Sequence, residues 1–137
     1  MSVEVYLTFN GNCREAVHFY KEVFHAEEPK IMTFGDSPDG PKELFNESTK
    51  DLVMHTRLII NGSTVMFSDT FPGVDYIVGN NITLAYISDH AEELKEVYEK
   101  LKAGGEVLME LQETFWSKLY GQVIDRYGIQ WQLNLGQ

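Results

Sequence analysis

His55 and Arg57 stand two residues apart in an apolar run that reads as a strand, so the strand period of two sends both side chains to one face. An imidazole that titrates near neutrality beside a permanent guanidinium can serve as an acid or base with an anion anchor. Glu110 offers a carboxylate for the same kind of work. His55 also has an ordinary use, a hydrogen bond to a neighbour such as Asp69 that needs no catalysis. His18, His25 and His90 fall on or beside helical segments, where solvent exposure is expected. Late in the chain come Trp116, Tyr120 and Trp131, large rings with one polar atom that suit an apolar ligand pocket. Trp131 should point opposite to Gln132 and read as core, which leaves Trp116 and Tyr120 as pocket candidates. Cys13 lies at a helix start, where the dipole lowers a thiol pKa, yet no His or Asp pattern makes a triad around it. A structural place in the capping region is the reading adopted for it.

The elements that must hold these groups are marked by turns. Strand formers from Val3 to Phe9 stop at Asn10-Gly11-Asn12, and Asn12 with Glu15 three residues on predicts a capped helix. Its buried face would be Ala16, Phe19, Tyr20, Val23 and Phe24. A short strand from Lys30 to Phe34 runs into a loop dense in Gly, Asp, Ser and Pro over residues 35–41. Strands over Leu52–Ile60 and Thr64–Ser68 are joined by Asn61-Gly62, the pair best suited to a tight hairpin turn. A linker at Phe71–Asp75 precedes a strand over Ile82–Ile87. A second amphipathic helix follows, with Ala91, Leu94, Val97, Tyr98 and Leu101 on its apolar face and Gly104-Gly105 at its end. Three more strands are predicted, Val107–Leu111, Tyr120–Ile124 and Ile129–Leu133. Strand, helix and three strands therefore occur twice, which is the pattern of an internal duplication, though an unrelated α+β sandwich would show the same order.

At 137 residues with 43% hydrophobic content, the chain is long enough for one domain with its own core. Its charge of −10, from 21 acidic and 11 basic residues, would repel a phosphate backbone, so nucleic acid is not an expected partner. A single cysteine cannot form an internal disulfide, and no N-terminal apolar run has the length of a signal peptide or membrane span. No membrane partner and a cytoplasmic location are the expectations.

The opening Tyr6-Leu7-x-Phe9-x-Gly11-x-Cys13-x-Glu15-Ala16-x-x-Phe19-Tyr20-x-x-Val23-Phe24 resembles that of PhnB-like proteins of the vicinal oxygen chelate superfamily. The resemblance continues through His55, Gly62-x-x-Val65-Met66-x-Ser68-Asp69, Gly104-Gly105-x-Val107, Thr114-x-Trp116, Tyr120-Gly121 and Asp125-x-Tyr127-Gly128-x-x-Trp131. It implies an α+β fold of two β-α-β-β-β modules, residues 1–70 and 76–137, forming one domain with a cup-shaped mixed sheet. It also implies helices outside the cup, a small-molecule pocket inside it, and a homodimer. Chemistry is not implied, because the superfamily holds glyoxalase I, extradiol dioxygenases, fosfomycin-modifying enzymes and metal-free bleomycin-binding proteins. Some PhnB-like chains carry a demethylubiquinone methyltransferase label, but no G-x-G loop for an adenosyl cofactor stands between a strand and a helix here.

Metal-dependent members hold their ion at four strand positions, which by this resemblance fall on Val5, Met66, Thr83 and Gln132. Only Gln132 is a reasonable oxygen donor, and a shift of one residue that admits Glu4 brings no matching partners, so neither a metal nor another cofactor is expected. Leu7 and Phe9 share a face with Val5, and Ser68 shares one with Met66. With Trp116, Tyr120 and Gln132 they form the expected lining of the cup. Two readings stay open, a metal-independent binding protein for a small, partly apolar molecule, and an enzyme using His55, Arg57 or Glu110.

Overall fold

Two runs of strand, helix and strands build two four-stranded sheets, each with the same strand order. The computed structural model describes residues 1–36 and 46–136. Its elements are β1 (Val5–Phe9), α1 (Cys13–Phe24), β2 (Met32–Thr33), β3 (Val53–Ile60) and β4 (Ser63–Asp69), then β5 (Leu84–Ser88), α2 (Ala91–Lys102), β6 (Glu106–Gln112), β7 (Tyr120–Ile124) and β8 (Gln130–Leu135). The sheets run β1-β4-β3-β2 and β5-β8-β7-β6, and the chain divides into compact units Met1–Tyr76 and Ile77–Gln137, module one and module two below. In each, the first strand lies parallel to the last, Val5 beside Val65 and Leu84 beside Trp131, while the other pairs are antiparallel. A right-handed helical crossover is the usual way to join parallel strands, and α1 and α2 occupy that place in the order of each module.

The repeat expected from the sequence is therefore present, with its ends moved by one or two residues. The Lys30–Phe34 strand shrinks to Met32–Thr33, after which Phe34–Asp36 turn into one 3-10 turn. Residues 37–41 of the expected loop lie outside the described residues. The hairpin forms at Asn61-Gly62, with φ of 49° and 85°, the positive pair that a Gly and an Asn accept most readily.

Strand alternation sorts each sheet into a face against its own helix and a far face turned away from it. In module one Phe9, Phe67 and Tyr20 stack on the helix side, with ring centroids 6.3 Å and 5.9 Å apart. Cys13, Ala16, Val17, Tyr20 and Val23 are the buried residues of α1, so Phe19 and Phe24, expected on that face, sit at its half-buried margins. In module two Leu94, Val97, Tyr98 and Leu101 pack with Tyr86, Val123, Trp131 and Leu133 in the buried core. Fully burying side chains of this size stabilises by about 1.5–3 kcal/mol each before entropy is counted.

Asn12 makes no side-chain cap. Asp69, at the end of β4, takes that role from a distance. Its Oδ1 accepts from the Gly11 and Cys13 amides at 2.9 and 3.0 Å, and its Oδ2 accepts from the Val53 amide at 2.9 Å. One buried carboxylate thus satisfies the start of α1 and the start of β3.

Candidate functional site

The polar side chains of module two's far face converge. Tyr120 and Gln132 point there from β7 and β8, since Trp131, Leu133 and Val123 alternate to the helix side. Gln122 Nε2 donates to Tyr120 Oη at 3.1 Å, and Tyr120 Oη donates to Gln132 Oε1 at 2.6 Å. Beside this chain the Trp116 ring meets Tyr120 edge-on at 5.3 Å, and Phe115 meets Trp116 at 4.7 Å. Trp116 is half exposed and Phe115 almost wholly so. Asn134 pairs with Tyr120 across the strands, and its buried Oδ1 has no hydrogen-bond partner among the described residues. Together these residues form an uncharged hydrogen-bonding surface edged by aromatic rings.

Three of the sequence candidates, Trp116, Tyr120 and Gln132, are brought together here. Two further members, Gln122 and Asn134, were missed. The signal for Asn134 was the alternation Gln130-x-Gln132-x-Asn134, which the expected strand end at Leu133 cut short. Trp131 is core as expected, and its Nε1 donates to Asp125 Oδ2 at 2.8 Å.

In module one the candidates separate. Phe9 is fully buried in the stack with Phe67, and Leu7 points the same way, opposite to Ser68 and Met66. Leu7 and Phe9 therefore belong to the helix side, and the face they were expected to share with Ser68 does not exist. Val5 turns away from Met66 for the same reason, so the four positions matched to metal ligands do not form one set even by facing. Among the described residues no three His, Cys, Asp or Glu side chains gather to hold a metal ion.

His55 and Arg57 do share a face. His55 lies with its ring centroid 5.9 Å from that of Tyr6, and it does not bond Asp69, whose oxygens serve backbone amides. Both line a groove of about 760 Å³ along β3, whose lining also includes His25, Glu27, Glu28 and Lys30. Glu110, in module two, accepts from Tyr98 Oη at 2.7 Å, tying β6 to α2. Burial and the Glu110 carboxylate push the Tyr98 phenol up to about 12. Cys13 is pushed up to about 12 as well, by burial and then by the Asp69 charge, the reverse of an activated thiol.

The profile of the family described as 3-demethylubiquinone-9 3-methyltransferase matches residues 2–134. Protein YjdN of Escherichia coli K12 is 31% identical over 143 aligned positions, covering 98% of this chain and 95% of that protein. This chain belongs to the PhnB-like 3-demethylubiquinone-9 3-methyltransferase family. Among solved structures, protein PA1353 from Pseudomonas aeruginosa is 33% identical with a TM-score of 0.86, covering 100% of this chain and 98% of that one. A PhnB protein from Bacillus cereus, described as a putative 3-demethylubiquinone-9 3-methyltransferase, is 26% identical with a TM-score of 0.76, covering 99% and 100%. The fosfomycin resistance protein FosX of Listeria monocytogenes, 19% identical over 100% of this chain and 94% of its own, shares the fold at a TM-score of 0.65. The PhnB-like chain is thus an α+β protein of the glyoxalase/bleomycin-resistance fold.

A methyltransferase name implies an adenosyl cofactor, and neither helix start among the described residues offers a glycine-rich cradle for one. The Asn10-Gly11-Asn12 turn before α1 spends its Gly11 and Cys13 amides on Asp69, and the Asp89-His90 turn before α2 contains no glycine.

Proposed function

We propose that this PhnB-like chain is a metal-independent binding protein for a small, partly apolar molecule, seated on the far face of module two. The observation that carries this reading is the Gln122–Tyr120–Gln132 hydrogen-bond chain beside the half-exposed Trp116 ring. A polar chain with fixed donors next to an aromatic face is how a pocket orients a ligand. Gln132 is the one reasonable oxygen donor among the four positions matched to metal ligands, too few for a site. Titration of aromatic compounds against Trp116 fluorescence tests the reading, with Trp116→Phe as the control. Silence across the panel at high protein concentration sinks it, and so does a stoichiometric divalent ion in the purified protein.

The chain is read as one vicinal-oxygen-chelate domain that works as a homodimer in the cytoplasm. Exposed Ile77, Ile82 and Phe115, at 87%, 74% and 97%, support a second copy as their cover. Among the described residues no helix is long and apolar enough to cross a membrane. Sedimentation at micromolar concentration checks the dimer.

The second reading, an enzyme acting on a small metabolite, draws on the groove that His55 and Arg57 share, where the Arg57 guanidinium has no hydrogen-bond or ion-pair partner among the described residues. His55→Ala with unchanged turnover of any detected substrate removes His55 as its acid or base.

A further inference from the structure

The hydrogen-bond chain on module two's far face has a direction, and its direction says what it has left to offer. A tyrosine hydroxyl has one proton to give. Tyr120 gives it to Gln132 Oε1 and accepts from Gln122 Nε2, so its own capacity is largely used and it acts as the organiser of the two amides. With Oε1 held by Tyr120, the Gln132 amide is oriented, and its Nε2 protons have no acceptor among the described residues. Two positions further along β8, Asn134 presents a buried carbonyl oxygen with no donor. A buried acceptor left unpaired costs about 1–3 kcal/mol, which a bound N–H would offset.

Among the described residues the face therefore holds a donor with no acceptor, Gln132 Nε2, and a buried acceptor with no donor, Asn134 Oδ1, with the Trp116 ring against Tyr120, their cross-strand neighbour. Among the described residues no charged side chain hydrogen-bonds to this network. A carboxylate ligand would bring an anion against the Asn134 oxygen, and a cation would find no counter-charge in it.

We infer that the ligand of this face is a neutral planar molecule with an amide edge, an N–H beside a carbonyl, as in a lactam or cyclic ureide. This rests on the module-two reading above. The ligand carbonyl accepts from Gln132 Nε2, its N–H donates to Asn134 Oδ1, and its ring lies against Trp116.

The test uses the full chain and three probes, carbostyril, its N-methyl derivative and naphthoate, followed by the side-chain amide NMR signals of Gln122, Gln132 and Asn134. Carbostyril is expected to shift these signals, and N-methylation, which removes the donor, to weaken binding ~10-fold. Asn134→Leu should erase the difference between the two lactams, and Asn134→Asp, whose oxygens still accept, should keep it. If Asn134→Leu does not fold, the two-lactam comparison on the wild-type chain still decides. Equal affinity for both lactams, or tighter binding of naphthoate, overturns the amide-edge inference and leaves the binding face standing. No response of the far-face signals to any probe overturns both.

Discussion

Module one and module two thread the same strand order but satisfy their buried polar groups in different ways. In module one a single carboxylate, Asp69, gathers the Gly11 and Cys13 amides of the α1 start and the Val53 amide of a segment some forty residues further on. In module two Asp125 is equally buried but works locally, accepting from Tyr127 and Ile129 amides of its own turn and from the Trp131 indole. The start of α2 is held separately, by Ser88 and Glu93, with Tyr86 Oη donating to Glu93 at 2.6 Å. The far faces differ as well, one carrying His55, Arg57 and Met66 and the other a neutral amide chain. Topology fixes where the strands lie. It leaves open which residue closes each helix start and what chemistry the far face carries.

The largest effect expected from breaking this comparison is at the two aspartates. Asp69→Ala strands three amides in two separate segments and should cost about 3–5 kcal/mol in urea unfolding, against about 2–3 kcal/mol for Asp125→Ala. The reverse order would mean that Asp69 does not organise module one. Next come the glycines. A methyl added at Gly105 would stand 2.2 Å from the Ile124 carbonyl oxygen, so the backbone must shift, at about 2 kcal/mol for Gly105→Ala. Gly11→Ala meets nothing within 4 Å and pays only for its φ of +92°, about 1 kcal/mol. Equal losses at both sites would remove close packing as the distinction.

A smaller difference separates two tyrosines on the far faces. Tyr120→Phe leaves Gln122 and Gln132 without their shared partner and should cost about 1 kcal/mol, with weaker carbostyril binding. Tyr6→Phe loses no hydrogen bond among the described residues and should stay within about 0.5 kcal/mol. A last effect is alkaline. Cys13 and Tyr98 are both pushed up to about 12 in the folded chain, from ordinary values of 9.0 and 10.0. The folded state thus holds these protons more tightly, so their contribution is complete below the unfolded values and drains as pH climbs toward 12. Melting temperatures measured from pH 8 upward (~8 to ~11) should decline, and less steeply in Tyr98→Phe, one module at a time. A thiol reagent at neutral pH should leave folded Cys13 unreacted.

Much of this frame was readable from the residues. The Asn61-Gly62 turn, the buried stripe of α2 and the repeated element order all come from local rules of turn geometry and periodicity, and all are present. What could not be read depends on partners distant in sequence. Asn12 reads as a cap because caps are usually local, whereas it is Asp69, from the far end of β4, that accepts the Gly11 and Cys13 amides at this helix start. Leu7 and Phe9 read as cavity residues because alternation says which residues share a face but not which face the helix covers. Of the site residues, Trp116 and Tyr120 follow from chemical type, and Gln132 from the ligand position that the family resemblance assigns to it. Gln122 emerges only once register sets it beside Gln132, and Asn134, marked by the alternation along β8, is joined to Tyr120 by the same register.

The parallel closing pair of each module also bears on how the chain is assembled. Val5 finds its sheet partner only at Val65, and Leu84 only at Trp131, so neither sheet can be completed by local zipping. Each must wait until its last strand has been synthesised, and the β3–β4 hairpin is the nearest early nucleus in module one. We predict that pulse-labelled hydrogen exchange during refolding protects β3 and β4 before β1. Protection of β1 first would contradict this order of assembly.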